Sequence, residues 1–420
     1  MKSLQIAVLS CVLAATAQPL AAQQARLTLE QALERFAASN LELRLARARA
    51  AEAAGLATQT EAFPNPSVSA THEPLARGGA THSESYLNLS QRLELPGKRG
   101  ARAEAGDRMR TAALSRLRAD SVRLAFEVKR AYVLAALGSD RVAVTERVAA
   151  VFRQADAAAA ARYRQGDVSR YEVGRISVER ARYENLTADA ALEAAAAGRA
   201  LAQLVAPTEE LIGLTVDPLP GDVPPALPEE ILAAGAASLR AELAAARADA
   251  EAAAAQARLA RAERLPDLTA TGGFKRQSDG LQGAFLGVSV PLPLFDRNAG
   301  AIAAAEARAR AADDRVALTG RQVEDDLRGA LEAYASLRGR ATRATERPVA
   351  EATNLLDMAR IAYDAGEMEL VQLLDAAESL HQARTAEARL RADLWIAYYD
   401  LERAMGGFDA GSSSGAGDGR

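Results

Sequence analysis

Few side chains in this sequence have the chemistry of a catalytic or metal site, because it contains only three histidines and a single cysteine, Cys11. His72 and His82 lie ten residues apart with a glutamate close to each, and imidazole and carboxylate groups together can bind a divalent cation. Histidines in a polar loop are more often simply solvated. We therefore expect no metal site and no cofactor.

The composition also argues against an enzyme. The sequence has no nucleophile elbow, no pair of metal ligands at helical spacing and no glycine-rich phosphate loop, which disfavours a secreted hydrolase. It is 49% hydrophobic but only 4% aromatic, and much of the apolar share is alanine between arginine and glutamate, a mixture typical of long packed helices. The net charge of −4, without a basic block, predicts no nucleic-acid partner.

The other candidate functional side chains lie around two Tyr-x-x-Gly motifs. The motif at 163–166 recurs at 363–366, 200 residues further along the chain, and an acidic residue follows each glycine. A glycine directly after a helical run is typical of a left-handed helix terminus, so each motif predicts a tight reversal between two helices. The candidate residues around these turns are Tyr163, Gly166, Asp167, Glu172, Tyr363, Gly366, Glu367, Gln372 and Asp375.

The rest of the chain is duplicated at nearly the same offset. Ala131-Tyr132 has a counterpart in Ala333-Tyr334, and the segment 63–66 has one in 265–268. A repeat of this length is too long for a solenoid, whose unit is typically about 20–50 residues. The sequence therefore predicts two copies of one structural unit, related by a pseudo-twofold axis or by ring symmetry.

Long helices must position the two turns. Residues 97–165 contain no proline and predict one helix of 69 residues, about 100 Å long. Its apolar residues form two stripes rather than one seam, which favours a ring of helices over a two-stranded coiled coil. Thr28 and Gln31 fit a capping box, and residues 28–62 predict a single helix. Pro348 is expected to kink or break the second long helix.

Strand-like segments precede each long helix. Residues 86–95 alternate leucines with polar side chains, 268–275 and 284–292 repeat the alternation, and 73–83 predict a polar loop. Segments of about ten residues with one apolar face are typical of transmembrane barrel strands, although a soluble sheet with one wet face alternates in the same way. Four strands cannot close a barrel, so a membrane interpretation requires several copies of the chain. The side chains expected to face a lumen are Asn88, Ser90, Arg92, Glu94, Thr269, Thr271 and Lys275.

The ends and the centre of the chain differ in composition from the repeats. A basic start, an apolar core and small residues before Gln23 are typical of a cleaved secretory signal peptide. The predicted segments are a signal peptide at 1–22, a first repeat at 23–206 with strands at about 66–95, a linker at 207–228, a second repeat at 229–406 with strands at about 267–292, and a disordered tail at 407–420.

These features resemble a known family. The duplicated plan, the segment Leu95-Pro96-Gly97-Lys98-Arg99, the segment 291–300 and the paired Tyr-x-x-Gly turns are similar to those of TolC-like outer membrane efflux proteins, and specifically of their CzcC-like heavy-metal branch. The resemblance covers about residues 26–406. The segment 291–300, followed by an alanine-rich helix, is the most specific of the signatures.

The resemblance implies a mainly α-helical fold with transmembrane β-strands. It implies a homotrimer whose 12-stranded β-barrel lies in the lipid of a Gram-negative outer membrane and continues as a long α-helical barrel in the periplasm. Such a protein is the exit duct of a tripartite RND-type efflux system. It passively conducts substrates, heavy-metal cations in this branch, that reach it from a periplasmic adaptor, also called a membrane fusion protein, and an inner membrane RND pump.

The resemblance also implies roles for the turns. The residues at 163–167 and 363–367 would form the tips that dock onto the adaptor, and the tyrosines match a position that helps to hold the TolC entrance closed. Asp375 matches an acidic residue that rings the tunnel entrance, and we place Glu172 at the equivalent position of the first copy. Gln372 stands where TolC has a second acid, so other contacts are expected to contribute to gating.

Two other interpretations stay open at this point, a periplasmic adaptor and a structural coiled-coil protein of an envelope assembly. An adaptor also has a signal peptide and a helical hairpin, but it needs lipoyl-like β motifs between the arms of the hairpin, and none is visible. A plain coiled coil would leave the alternating strands unexplained.

Overall fold

The structure, a computed structural model, describes residues 26–77, 80–205, 215–225, 240–343 and 347–406. The predicted signal peptide and the predicted tail lie outside the described residues, and so does the predicted linker apart from 215–225.

Both copies run in the same order, from helix to two strands to a helical hairpin. The first copy contains α1 (Leu29–Ser39), α2 (Leu41–Glu61), β1 (Ser67–Arg77), β2 (Ala80–Leu93), α3 (Lys98–Gln165) and α4 (Arg170–Val205). The second copy contains α5 (Ala241–Ala262), β3 (Leu268–Gln277), β4 (Gln282–Ser289), α6 (Ala299–Arg343), α7 (Arg347–Asp364) and α8 (Leu370–Ala404).

The prediction of a single helix over residues 28–62 is wrong, because Asn40 interrupts it. The capping box of Thr28 and Gln31 does begin α1 as expected. Asn40 then adopts an extended backbone, and its side-chain oxygen accepts a hydrogen bond of 2.8 Å from the N–H of Leu43, which caps α2. Its Nδ2 also donates to the carbonyl oxygen of Leu204 at the end of α4, 2.9 Å away. This long-range contact was not visible in the sequence.

The prediction of a loop over residues 73–83 is also wrong. β1 continues to Arg77 and β2 begins at Ala80, so that Glu73 lies opposite Glu84 and Pro74 opposite Ser83. Polar side chains do not prevent strand pairing, since the antiparallel ladder is made by backbone groups. Pro74 is tolerated because β1 is an outer strand of the sheet in the described part of the chain.

The four strands form one antiparallel sheet in the order β1-β2-β3-β4. The two copies meet at β2 and β3, where Ser90 lies opposite Thr271 and Leu93 opposite Leu268. The sheet therefore contains one hairpin from each copy. β2 and β4 end at Leu93 and Ser289, before the predicted ends at 95 and 292.

The long helix predicted after Gly97 is confirmed, since α3 spans 68 residues and ends at Gln165. α3 packs along α4, α5 and α8, so it contacts helices of both copies. Its buried residues include Leu124, Val128 and Ala135, which belong to the predicted apolar stripes. In the described residues, no helix is both long and apolar enough to cross a membrane.

Two tyrosines at matching positions hold the segment between the copies. The hydroxyl of Tyr132 on α3 donates to the carbonyl oxygen of Leu27, 3.0 Å away, and Leu27 forms a parallel bridge with Val216. The hydroxyl of Tyr334 on α6 donates to the carbonyl oxygen of Pro225, 2.7 Å away. Hydrogen bonds therefore hold residues 215–225 against both α3 and α6.

The outgoing arm of the second hairpin is described in two parts. α6 and α7 lie on either side of residues 344–346, which lie outside the described residues. Pro348 is the second residue of α7. Proline is tolerated in the first turn of a helix because the N–H that it lacks has no partner there.

We expect Gly138→Ala to destabilise the fold by about 1–3 kcal/mol, because the added Cβ would lie 2.8 Å from the Cα of Ala194 and force α3 away from α4. Gly329→Ala is the matched control, since a Cβ there meets nothing within 4 Å. It should be neutral or stabilising by up to about 1 kcal/mol. Denaturant unfolding followed by circular dichroism measures both. A Gly138→Ala protein as stable as the wild type would contradict the close packing of α3 on α4.

Candidate functional site

The two predicted turns have the same backbone geometry. Gly166 and Gly366 are left-handed, with φ of 86° and 77°. The N–H of Gly166 donates to the carbonyl oxygen of Tyr163, 3.1 Å away, and the N–H of Gly366 donates to that of Tyr363, 3.0 Å away. An added Cβ is strained at such φ values, so both positions favour glycine for structural reasons alone. Asp167 and Glu367, which follow the glycines, are exposed.

The helix caps correct the alignment of the acidic residues. Glu172 is the third residue of α4 and donates its N–H to Oγ of Ser169, 3.1 Å away. Gln372 is the third residue of α8 and forms a capping box with Glu369. Glu172 is therefore the counterpart of Gln372, and the placement of Glu172 at the position equivalent to Asp375 is wrong by one helical turn. The exposed Asp375 corresponds to Arg175 in the first copy.

The two motif tyrosines have different surroundings. Tyr363 is 1% exposed and its hydroxyl donates to Oε1 of Glu172 on α4, 2.9 Å away, whereas Tyr163 is 47% exposed. The Arg162 guanidinium donates to the carbonyl oxygen of Tyr363, 3.2 Å away. Burial and the neighbouring Glu172 carboxylate raise the pKa of Tyr363, so its hydroxyl stays a hydrogen-bond donor. The second tip is thereby tied to the first.

A second tyrosine makes the reciprocal contact further from the tips. Tyr183 on α4 stacks on Phe152, and its hydroxyl donates to Oε2 of Glu378 on α8, 3.0 Å away. A hydrogen bond from Gln382 lowers the pKa of Glu378, and the Tyr183 hydroxyl adds to this effect. Each copy therefore contributes one buried tyrosine and one carboxylate to contacts that hold the two hairpins together.

His381 completes the cluster around Tyr183. Its ring meets that of Tyr183 edge to face at 5.8 Å, and its buried Nδ1 has no hydrogen-bond partner in the described residues. Burial lowers the pKa of His381, and Arg182 adds to this effect while Glu378 opposes it. The neutral imidazole is the form that fits this environment.

Most of the residues predicted to face a lumen share one face of the sheet. Ser90 and Thr271 approach to 3.1 Å between their hydroxyl oxygens, and Lys275 forms an ion pair of 2.9 Å with Glu84. By the register of β2 and β3, the polar side chains of this face are Glu84, Tyr86, Asn88, Ser90, Arg92, Thr269, Thr271, Lys275 and Gln277. The sheet thus presents a continuous polar surface.

Two of the expected lumen residues, Arg92 and Glu94, form ion pairs where the sheet meets the helices. Glu94 follows the end of β2 and pairs with Arg102 of α3 at 2.9 Å. Arg92 pairs with Asp267, which is only 8% exposed and also binds Lys98 at the start of α3, 2.7 Å away. These ion pairs connect the sheet to the start of α3. Sequence reasoning missed Asp267, which appeared only as one position of a repeated Pro-containing turn.

The opposite face of the sheet is apolar and uncovered in the single chain. Leu286 is 92% exposed, and Val68, Leu87 and Val288 are also exposed. From Leu87 to Leu93 the apolar rows span about 20 Å along β2 at about 3.3 Å per residue, close to the apolar band of a membrane barrel.

Aromatic residues that the sequence did not connect with the sheet lie beside its junction with the helices. Phe295 is fully exposed after β4, and Phe63 is exposed with the Arg99 guanidinium 3.8 Å from its ring centroid. The two aromatic residues are thus placed at one end of the apolar face, where an aromatic belt is typical of membrane barrels.

Comparison with known proteins agrees with this architecture. Residues 232–407 match the family model for outer membrane efflux proteins. The chain is similar to the cobalt-zinc-cadmium resistance protein CzcC of Cupriavidus metallidurans, with 27% identity over 386 residues, 90% of each chain. It is also 27% identical to the nickel-cobalt-cadmium resistance protein NccC of Alcaligenes xylosoxydans xylosoxydans, over 62% of this chain and 59% of that one. The crystal structure of the Campylobacter jejuni CmeC outer membrane channel has a similar fold, with a TM-score of 0.75 at 18% identity, covering 90% of this chain and 85% of that one.

Because the folded chain favours neutral His381, we expect acid to destabilise it. Between about pH 6.5, the ordinary histidine pKa, and the lower pKa in the fold, the unfolded chain binds the proton more readily, so the free energy of unfolding falls as the pH falls. His381→Phe keeps a ring against Tyr183 and should remove this part of the pH dependence, whereas His82→Phe should retain it. Unfolding measured from pH 7.5 to pH 5 tests this. An unchanged slope in His381→Phe would contradict the burial argument.

Proposed function

This chain belongs to the outer membrane efflux protein family, and from that premise we propose that it is the passive exit duct of a tripartite exporter. The observation that carries the proposal is the direct join between a sheet with one apolar and one polar face and a 68-residue helix that begins at Lys98, close after β2 ends at Leu93. A periplasmic adaptor and an inner membrane RND pump would deliver the cargo and the energy.

Three chains would complete the structure in the membrane. The chain supplies four strands, with β1 and β4 at the sides of the sheet. Pairing of β1 with β4 of the next chain would give a twelve-stranded barrel, an even number within the range of bacterial outer membrane barrels. The polar face, with Asn88, Ser90 and Thr271, would line the lumen, and the face with Leu286 and Val288 would contact lipid.

Heavy-metal cations are the cargo that the comparisons favour. The names of CzcC and NccC refer to resistance to cobalt, cadmium and zinc or nickel. A threefold assembly would repeat the exposed Asp375 around the entrance, and a ring of carboxylates attracts cations. The pump and the adaptor would make most of the selection among cargoes.

The contact between Tyr363, Glu172 and Arg162 would hold the entrance closed. It joins the second hairpin to the first within 15 residues of both turns, so loss of the contact would free the second tip to move outwards. The reciprocal contact between Tyr183 and Glu378 lies further from the turns and would act as the fixed point of that motion.

We expect Tyr363→Phe and Glu172→Gln each to raise the ion conductance of the purified channel in a planar bilayer, because each weakens the hydrogen bond that ties the two tips. Tyr171→Phe is the matched control, since Tyr171 is 77% exposed and should conduct like the wild type. Wild-type conductance in both test variants would exclude this contact as the gate.

The tips would also dock onto the adaptor. Tyr163, Asp167 and Glu367 are exposed at the end of the hairpins, where no described residue covers them. Gly366 is exposed in the second tip, next to the first tip, since a Cβ there would lie 3.4 Å from Nη2 of Arg162.

Gly366→Trp should therefore abolish export while leaving the protein assembled, because the indole would occupy the docking surface. Gly366→Asn is the control, since asparagine tolerates a left-handed backbone and adds only a small side chain. Growth on cobalt, zinc or cadmium salts of cells that lack their own copy of the gene measures export. Full tolerance with Gly366→Trp would remove the docking role of this tip.

A further inference from the structure

On β3 and β4 the polar face of the sheet contains one large apolar side chain, that of Phe285. Phe285 lies on β4 opposite Gly273, and Gly273 lies opposite Asn88 on β2. Residues that face each other across paired strands project to the same side of the sheet. Phe285 therefore shares the face of Asn88, whereas its neighbour Leu286 projects to the apolar face.

Glycines surround this phenylalanine on its own face. A Cβ on Gly273 would lie 2.7 Å from Cζ of Phe285, so the ring occupies the space beside the Gly273 backbone. Gly283 and Gly287 flank Phe285 two residues away on β4, and a Cβ at either position would meet nothing within 4 Å. The ring is 37% exposed and has open space on both sides along the strand. The glycines thus leave space for the ring to adopt different rotamers.

The surroundings of Phe285 are partly aromatic. A cavity of about 360 Å³ borders Phe285, Tyr86 and Lys275. The Lys275 ammonium lies 5.2 Å from the centroid of the Tyr86 ring and is also paired with Glu84, so its charge is compensated. The cavity therefore combines two aromatic rings with a neutralised ion pair.

We propose that Phe285 is a specificity-determining residue of the channel and forms an apolar constriction of its lumen. The inference rests on the proposed duct, in which threefold repetition would place three such rings around the axis. A hydrated ion finds no hydrogen-bond partner on a phenyl ring, so an apolar ring of this kind raises the barrier to ion passage. Because of the glycines on either side, the barrier depends on the orientation of the ring.

Single-channel conductance in planar bilayers tests the constriction. Phe285→Ala should raise the conductance, and Gly287→Phe, which adds a second ring in open space, should lower it. Phe274→Ala is the matched control, because Phe274 lies on β3 directly after Gly273 and faces the apolar side; its conductance should equal that of the wild type. All variants are also made with Glu172→Gln, so that the tunnel entrance does not limit the current.

The outcomes separate this inference from the proposed function. A wild-type channel that conducts, with Phe285→Ala and Gly287→Phe unchanged in both backgrounds, would overturn the constriction and leave the duct intact. A protein that does not conduct even with Glu172→Gln would overturn both. Variants are compared only when they assemble as the wild type does on unheated SDS gels, and Phe285→Leu replaces Phe285→Ala if alanine prevents assembly. Phe285→Leu should then raise the conductance by a smaller amount.

Discussion

The outer strands of the sheet set the main constraint on this molecule. In the described residues β1 and β4 each pair on one side only, and the sheet has an uncovered apolar face. Backbone N–H and C=O groups without partners are very unfavourable in a lipid bilayer, so a sheet with open sides cannot remain there. In the proposed duct the chain would therefore need copies of itself, and its two repeats would supply one hairpin each to the closed sheet.

Ion pairs connect the long helices to that sheet. The ion pairs of Asp267 with Arg92 and Lys98, and of Glu94 with Arg102, join the strands to the start of α3. Alanine-rich contacts, with a close approach at Gly138, then keep α3 against its neighbours along its length. At the far end, two tyrosine–carboxylate contacts tie the hairpins together. The sheet, the long helices and the two turns at their far end are thus connected in one continuous structure.

Sequence reasoning succeeded where the signal is local. Helical periodicity predicted α3, glycine predicted both turns, and alternation predicted the two faces of the sheet. It failed where distant residues decide the outcome. Asn40 interrupts a helix, and its side-chain amide donates a hydrogen bond to the carbonyl oxygen of Leu204 at the end of α4. Tyr363 is buried because Arg162 and Glu172 of the first copy bind it. The second copy has Ala362 and Gln372 at those places, so equal motifs acquire unequal surroundings.

Reconstitution of the purified protein tests the central claim, closure of the sheet by further copies of the chain, most directly. The mass of the detergent-solubilised assembly, its resistance to SDS before and after heating, and its conductance in a planar bilayer are measured on one preparation. We expect a trimer that withstands SDS until it is heated and that conducts ions. A soluble monomer without conductance would contradict it.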